Sequence, residues 1–267
     1  MRRLLFLCCF AAVHGYGQEL YVFSEPASNM PARSLSIRQT EKLQPRQAGG
    51  STQLRNTTEL MLGLNRNLMV HAATSFSNMY SPGQQWESVR VYAKYRFLSN
   101  DELYRHFRMS AFAEAGYSRN KPFVDELGID GDQSGVQAGV IATQLLHKLA
   151  LSTTVGFAKA SGVDPMLPGP SSHQALNYSL SAGYLLLPKD YTSYGQTNIN
   201  LYLELLGQQA TNIRKYYLDL APAVQLIFNS EAKLNIGYRF QLGSDMRRFS
   251  PSSWLIGFEW VFLNVLK

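Results

Sequence analysis

The fold class this sequence predicts is all-β: an antiparallel up-and-down transmembrane β-barrel of about 12 strands. Three observations predict it. The stretch Trp254 to Asn264 places Trp254, Ile256, Phe258, Trp260 and Phe262 at every second position, which is the period of a strand. Eleven further segments with that period precede it. The connections between segments alternate between short and long, the asymmetry of turns and loops that a barrel threaded through an outer membrane carries.

Composition narrows the class. Charged residues make up only 16% of the 267, against about 25% in soluble domains. After the N-terminus no run of 18 apolar residues occurs, so a membrane would have to be crossed by strands rather than helices. Arg2 and Arg3, the apolar stretch Leu4 to Val13 and the small residues around Gly15 and Gly17 predict a signal peptide over residues 1–17. Both cysteines, Cys8 and Cys9, fall inside it, leaving no disulfide framework beyond. Its removal leaves 23 basic against 19 acidic side chains, a balance of +4 in place of +6. The basic residues form no stripe, which argues against nucleic acid as a partner.

Residues 18–33, QELYVFSEPASNMPAR, have two prolines and no period; they are expected to form a periplasmic lead-in that could plug the barrel of residues 34–267. The expected strands are Ser34–Leu43, Gln53–Leu64, Leu68–Asn78, Ser88–Leu98, Phe107–Ser118, Gly135–Leu146, Leu149–Lys159, Leu176–Leu187, Asn198–Leu206, Tyr216–Phe228, Lys233–Leu242 and Trp254–Leu263. The eleventh is the clearest, with Leu234, Ile236, Tyr238, Phe240 and Leu242 alternating against Lys233, Asn235, Gly237, Arg239 and Gln241. The fourth sets Val89, Val91, Ala93, Tyr95 and Phe97 against Arg90, Tyr92, Lys94 and Arg96. The first is the weakest. Pro222 in the tenth cannot donate to a ladder and predicts a bulge or break.

Aromatic placement agrees with a bilayer outside. On the apolar parity Tyr117, Tyr178, Tyr216, Phe240 and Trp254 fall near long-loop ends, and Phe97, Phe107, Phe228 and Phe262 near short-turn ends. These form two girdles against outer-membrane lipid.

The opposite parity is the predicted lumen. It collects Arg55, Arg90, Lys94, Arg96, Arg108, Lys233 and Arg239 against Glu59, Glu114, Glu204, Asp219 and Glu259. The expected register places Arg90 opposite Glu114 and Tyr92 opposite Phe112, with Asp219 and Arg239 a diagonal step apart; such pairs stabilise an interior when fully bonded. Segments six to eight instead offer small or neutral residues, among them Gly135, Gln137, Gly139, Ser152, Gly156, Ser181 and Gly183. A charged wall facing a small-residue wall predicts open volume, as a narrow pore requires. The seven-to-five basic excess predicts at most a weak anion preference.

Catalytic and metal chemistry find little support. His106 and His147 fall at turns and His173 in a loop, so only His71 is on the lumen parity. Ser75, four residues on, would lie about 13 Å away along the strand, too far for a nucleophile and its base. His71 is expected to make a plain lumen hydrogen bond, with Glu59 across the hairpin. The acidic stretch Asp125 to Asp132, DELGIDGD, lacks the ligand spacing of a calcium loop and reads as a solvated loop. Met30, Met79, Met166 and Met246 are not at ligand spacing for a soft metal. No cofactor is expected.

The string Tyr21-Val22-Phe23-Ser24-Glu25-Pro26-Ala27-Ser28-Asn29-Met30-Pro31, with a mature start at Gln18 and the aromatic final strand, resembles an uncharacterised family of porin-like outer-membrane β-barrel proteins of Bacteroidota. The resemblance implies an outer-membrane location and a transporter-like role. Trp260 and Phe262 would then present the end signal to the barrel-assembly machinery. The reading of the residues is a narrow, non-enzymatic channel for small polar or charged solutes. Its rivals are a filled barrel acting through its outer loops and a hydrolase.

Overall fold

The computed structural model describes residues 21–45, 52–121, 124–161, 172–189 and 195–265. The expected signal peptide, the first residues of the lead-in and Met166 lie outside them. Twelve strands form one closed antiparallel barrel: β1 Ser34–Gln44, β2 Gln53–Gly63, β3 Leu68–Ser77, β4 Gln85–Asp101, β5 Arg105–Ser118, β6 Gly135–Leu146, β7 Leu149–Ala160, β8 Gln174–Leu187, β9 Asn198–Ala210, β10 Lys215–Phe228, β11 Ala232–Ser244 and β12 Ser252–Phe262. Each strand pairs with its neighbours in sequence. β1 closes the ring on β12, from Leu35 opposite Phe262 to Leu43 opposite Trp254, so no edge is left unpaired.

Alternation decides which solvent each face meets. Val91, Leu203, Trp254 and Phe258 point outward and are exposed, whereas Arg55, Lys94, Glu204 and Asp219 point inward and are buried. Water outside would strand the apolar face, so this inverted surface fits a bilayer around a polar interior. The short turns use left-handed residues, His147 between β6 and β7 and Asn229 and Ser230 between β10 and β11. Such conformations match the twist of tight hairpins.

The weak first segment is a full strand, because pairing on both sides compensates for its poor alternation. At Pro222 the ladder to β11 passes from Leu220–Phe240 to Ala223–Gly237 without losing register. The proline breaks two pairings there and makes no bulge; the register shift of this pair lies at Leu218/Asp219. The β4–β5 register differs from the expected one by two residues. Arg90 stands opposite Gly116 and Tyr92 opposite Glu114. Both strands run further than their apolar pattern, to a tight turn closed by Glu102 N–H donating to Arg105 O, with a bulge between Arg96 and Leu98.

Two segments fold into the lumen from opposite ends. The lead-in enters at the short-turn end, where Pro31 and Met30 lie against Gly63. It then crosses the interior to Tyr21, which packs on Tyr202. From the long-loop end the connection after β5 turns inward, burying Asp125, Leu127 and Ile129. The acidic stretch expected to be solvated is therefore lumen filling. Its alternate residues Leu127 and Ile129 are apolar and pack against Ala158, Ala160 and Ala175, which offsets the cost of bringing its acids inside.

Candidate functional site: a charged chamber in the lumen

Between the two inserted segments the barrel keeps a chamber of about 420 Å³, bounded by Tyr21 to Glu25 on one side and Glu126 to Asp132 on the other. Five of the twelve expected lumen charges line it: Arg55, Glu59, Arg90, Glu114 and Arg239. Arg38, Lys42, Glu25, Glu126, Asp130 and Asp132 join them.

Its floor is held by the remaining charges of the short-turn half. Val22 and Phe23 N–H both donate to Glu204 Oε1 at 2.9 Å, and Ser24 Oγ donates to Glu204 Oε2 at 2.6 Å. Lys94 Nζ, fully buried, donates to the carbonyls of Pro26 at 2.7 Å and Ser28 at 2.9 Å. Ala27 N–H donates to Thr143 Oγ1, and Ser110 Oγ to Ala27 O. The wall of small residues is thus covered where Ser152, Thr143 and Ser181 bind or back the lead-in. The expected open volume lies nearer the centre, because small side chains leave room for an inserted backbone as readily as for solute.

The side wall is an ion-pair network. Arg38 reaches Glu259, Glu59 and Glu25 at 3.1, 3.3 and 3.4 Å. Glu259 also accepts from Lys233 at 2.9 Å and from Ser36 at 3.0 Å. Arg90 bridges Glu59 and Glu114 at 3.3 and 3.1 Å; the pair expected straight across the ladder is made diagonally instead. Tyr92 and Phe112 stack with centroids 5.6 Å apart, also diagonally. His71 makes the expected bond, Nδ1 lying 3.2 Å from Glu59 Oε1, while Ser75 bonds Ser88. His71 Nε2, Tyr92 Oη and Thr154 Oγ1 have no hydrogen-bond partner among the described residues, and all three residues line the chamber.

The roof is clamped by charge. Arg55 forms a bidentate pair with Glu87 at 2.7 Å and reaches Asp132 at 2.6 Å. Arg248, from the last long loop, grips Asp219 through two nitrogens at 2.6 and 2.7 Å and Glu126 at 3.1 Å, its guanidinium 4.0 Å above the Tyr217 ring. Arg239 meets Asp219 across the expected diagonal and Glu126 at 3.2 Å. Asp125 accepts from Lys215 and Arg247. Burial pushes the carboxyl of Glu126 up, but Arg248 and Arg239 outweigh it and hold the group below the usual carboxylate range. Asp125 follows the same course, burial raising it and the bonds from Arg247 and Lys215 bringing it lower.

Two expected site residues stand apart. Arg108 sits at the short-turn rim on Asp101, 2.8 Å away, because the long β4–β5 hairpin carries it beyond the chamber. Arg96, next to the bulge, lies on the same inward parity toward that rim. Arg38 and Lys42 went unnoticed in the sequence although they share a parity with Ser36 and Thr40 on the weak first segment. Glu25, Glu126 and Arg248 carried no signal, since only long-range folding brings them inside.

This is the architecture of a closed twelve-stranded β-barrel with an obstructed lumen. Among solved structures the chain is similar to the KdgM porin, with a TM-score of 0.54 at 10% identity, covering 85% of this chain and 99% of that one. It is similar to the NanC porin at 0.54 and 13%, covering 85% and 98%. An outer membrane channel from Pseudomonas putida F1 gives 0.60 at 13% identity, covering 91% of this chain and 100% of that chain. No family model and no curated protein matches the sequence.

Proposed function

We propose that this protein is an outer-membrane channel that passes small polar or charged solutes through the central chamber, with the lead-in as its inner constriction and the inturned loop as its outer one. The observation that carries the reading is the chamber itself. Five cationic and six acidic side chains line it. Such a surface solvates a hydrophilic solute and gives little net attraction to either sign, so the weak anion preference read from the strands alone is offset by acids from the two inserts. The fold shared with porins supports the same reading. One of those neighbours is described in complex with oligogalacturonate.

The export leader over residues 1–17, assembly by the barrel-assembly machinery, residence in outer-membrane lipid and membership of the Bacteroidota barrel family belong to this proposal. No enzymatic step is part of it. The nearest Ser and His candidates, Ser75 and His71, are each bonded elsewhere.

Occupation of both ends of the lumen favours one rival, a filled barrel acting through its loops. Single-channel recording of the refolded protein, beside a variant lacking Gln18 to Met30, separates the two. Conductance in the full chain, or its appearance on deletion, supports the channel. Silence in both forms moves the assignment to the filled barrel.

A further inference from the structure

Single polar side chains apart, among them Thr74 on β3, Gln144 on β6, Thr153 and Lys159 on β7 and Gln209 on β9, the outward face of the barrel is apolar, and polar groups cluster on it at one place. On β1 and β2 the outward positions read Leu35, Ile37, Gln39, Glu41, Leu43 and Leu54, Asn56, Thr58, Leu60, Leu62, so each strand turns polar through its middle. The groups bond to one another on the surface. Thr58 Oγ1 donates to Gln39 Oε1 at 2.6 Å and Gln39 Nε2 to Glu41 Oε1 at 3.1 Å. Asn56 lies against the Glu41 carboxylate, and with its amide nitrogen on that side it donates to it. An ionisable side chain and two amides facing hydrocarbon are costly, and such residues in a membrane-spanning segment mark a contact or a pathway. No pathway lies on the outside of a closed barrel.

A second observation falls on the same face. Aromatic side chains anchor barrels at the two interfaces, and the strands on either side supply them generously: Trp254, Phe258, Trp260 and Phe262 on β12, and Trp86, Tyr95 and Phe97 on β4. Between them β1 and β2 present none outward, and β3 only Phe76. The girdle is interrupted across β1 and β2, about 10 Å at the spacing of neighbouring strands, where the polar cluster sits; β6 and β9, which also lack an outward aromatic, stand singly between strands that have one.

We propose that this face is covered by a second copy of the chain, in a two-fold dimer packed through β1 and β2. The chemistry selects that occupant. The cluster holds acceptors and donors side by side, Glu41 on β1 and the Asn56 amide opposite it on β2. A two-fold axis along the membrane normal sets β1 of one copy against β2 of the other. Each Glu41 then meets the partner's Asn56, and each Gln39 the partner's Thr58, while the two carboxylates stay apart. Lipid supplies no such donors at this depth.

The test is cross-linking in intact outer membranes. In a Cys8→Ala, Cys9→Ala background, Thr58→Cys treated with a short bismaleimide should give a species of twice the chain mass. Its yield should exceed by at least five-fold that of Leu180→Cys on β8, across the barrel. Equal yields, no product, or an adduct whose mass is not twice the chain would overturn the proposal. A double variant, Glu41→Leu with Asn56→Leu in the Thr58→Cys chain, should lose the product at least five-fold while keeping heat-modifiable migration. Persistence of the dimer in that variant would equally overturn it, and if the variant fails to fold the first comparison decides alone.

Discussion

The two segments that fill the lumen are held by different forces. The lead-in is gripped largely through its backbone: the amides of Val22, Phe23 and Ala27 and the carbonyls of Pro26, Ala27 and Ser28 all bond to barrel side chains. The inturned loop is gripped through its own carboxylates. Asp125, Glu126 and Asp132 pair with Lys215, Arg247, Arg239, Arg248 and Arg55. In the lead-in the main chain supplies the bonds, to Glu204, Lys94, Thr143 and Ser110 of the barrel. A segment bound by ion pairs answers to protons and to charge substitutions, which suits the loop to be the movable constriction.

The largest way to break this comparison is Arg55→Met. Arg55 and Glu87 are both about as buried as the structure allows, at 2% side-chain exposure. Removing the guanidinium leaves Glu87 buried without its cation and frees Asp132. Breaking one partner of such a pair costs about 3–5 kcal/mol. The denaturant midpoint of the refolded barrel should fall accordingly, and channel recordings should show a loop that closes less often. Unaltered gating together with an unaltered midpoint would mean that the loop does not depend on this clamp.

Acid is the next probe. Glu126 and Asp125 titrate below their usual range when folded, so their contribution is fully present above the unfolded carboxylate range, about pH 4. It is lost as pH falls through the lowered values. Hydrogen-exchange protection of residues 124–133 should therefore drop as pH falls below about 4, and it is to be compared with that of residues 22–27, whose amides rest on the Glu204 carboxylate. Equal loosening of both segments would erase the distinction.

How much of this was legible in the sequence follows from the range of each interaction. Period-two alternation is local, so all twelve strands could be read from it, down to the inward parity of Arg90, Glu114, Asp219 and Arg239. Diagonal pairing of Asp219 with Arg239 was also legible, because β10 and β11 meet through a short turn. The β4–β5 register was not, since the bulge beside Arg96 and the extension to Asp101 break the alternation that would set it. The inward fold of DELGIDGD was hidden for another reason. Its acids look solvated until Arg239 and Arg248, more than 110 residues away in sequence, are placed beside them. Gln39 and Glu41 were visible as polar residues in a weak segment, but only closure of β1 onto β12 fixes them on the lipid side.

The smallest effect sharpens the comparison most evenly, because it makes the same substitution beneath each segment. Gly237 on β11 lies under Phe23 of the lead-in, and a Cβ there would come within 2.5 Å of the ring. Gly116 on β5 lies under Ile129 of the loop, where a Cβ would meet the side chain at 2.6 Å and the carbonyl oxygen at 2.8 Å. Alanine at either site forces the inserted segment outward by a fraction of an ångström, at about 1–3 kcal/mol as in other overpacked interiors. Gly237→Ala should expose the lead-in to protease and leave gating by the loop intact. Gly116→Ala should do the reverse, with Gly257→Ala, whose nearest neighbours are 3.6 Å away, as the neutral control. If Gly237→Ala alters gating as strongly as Gly116→Ala does, the two segments move as one body, and the division between a fixed inner stop and a charge-held outer one is wrong.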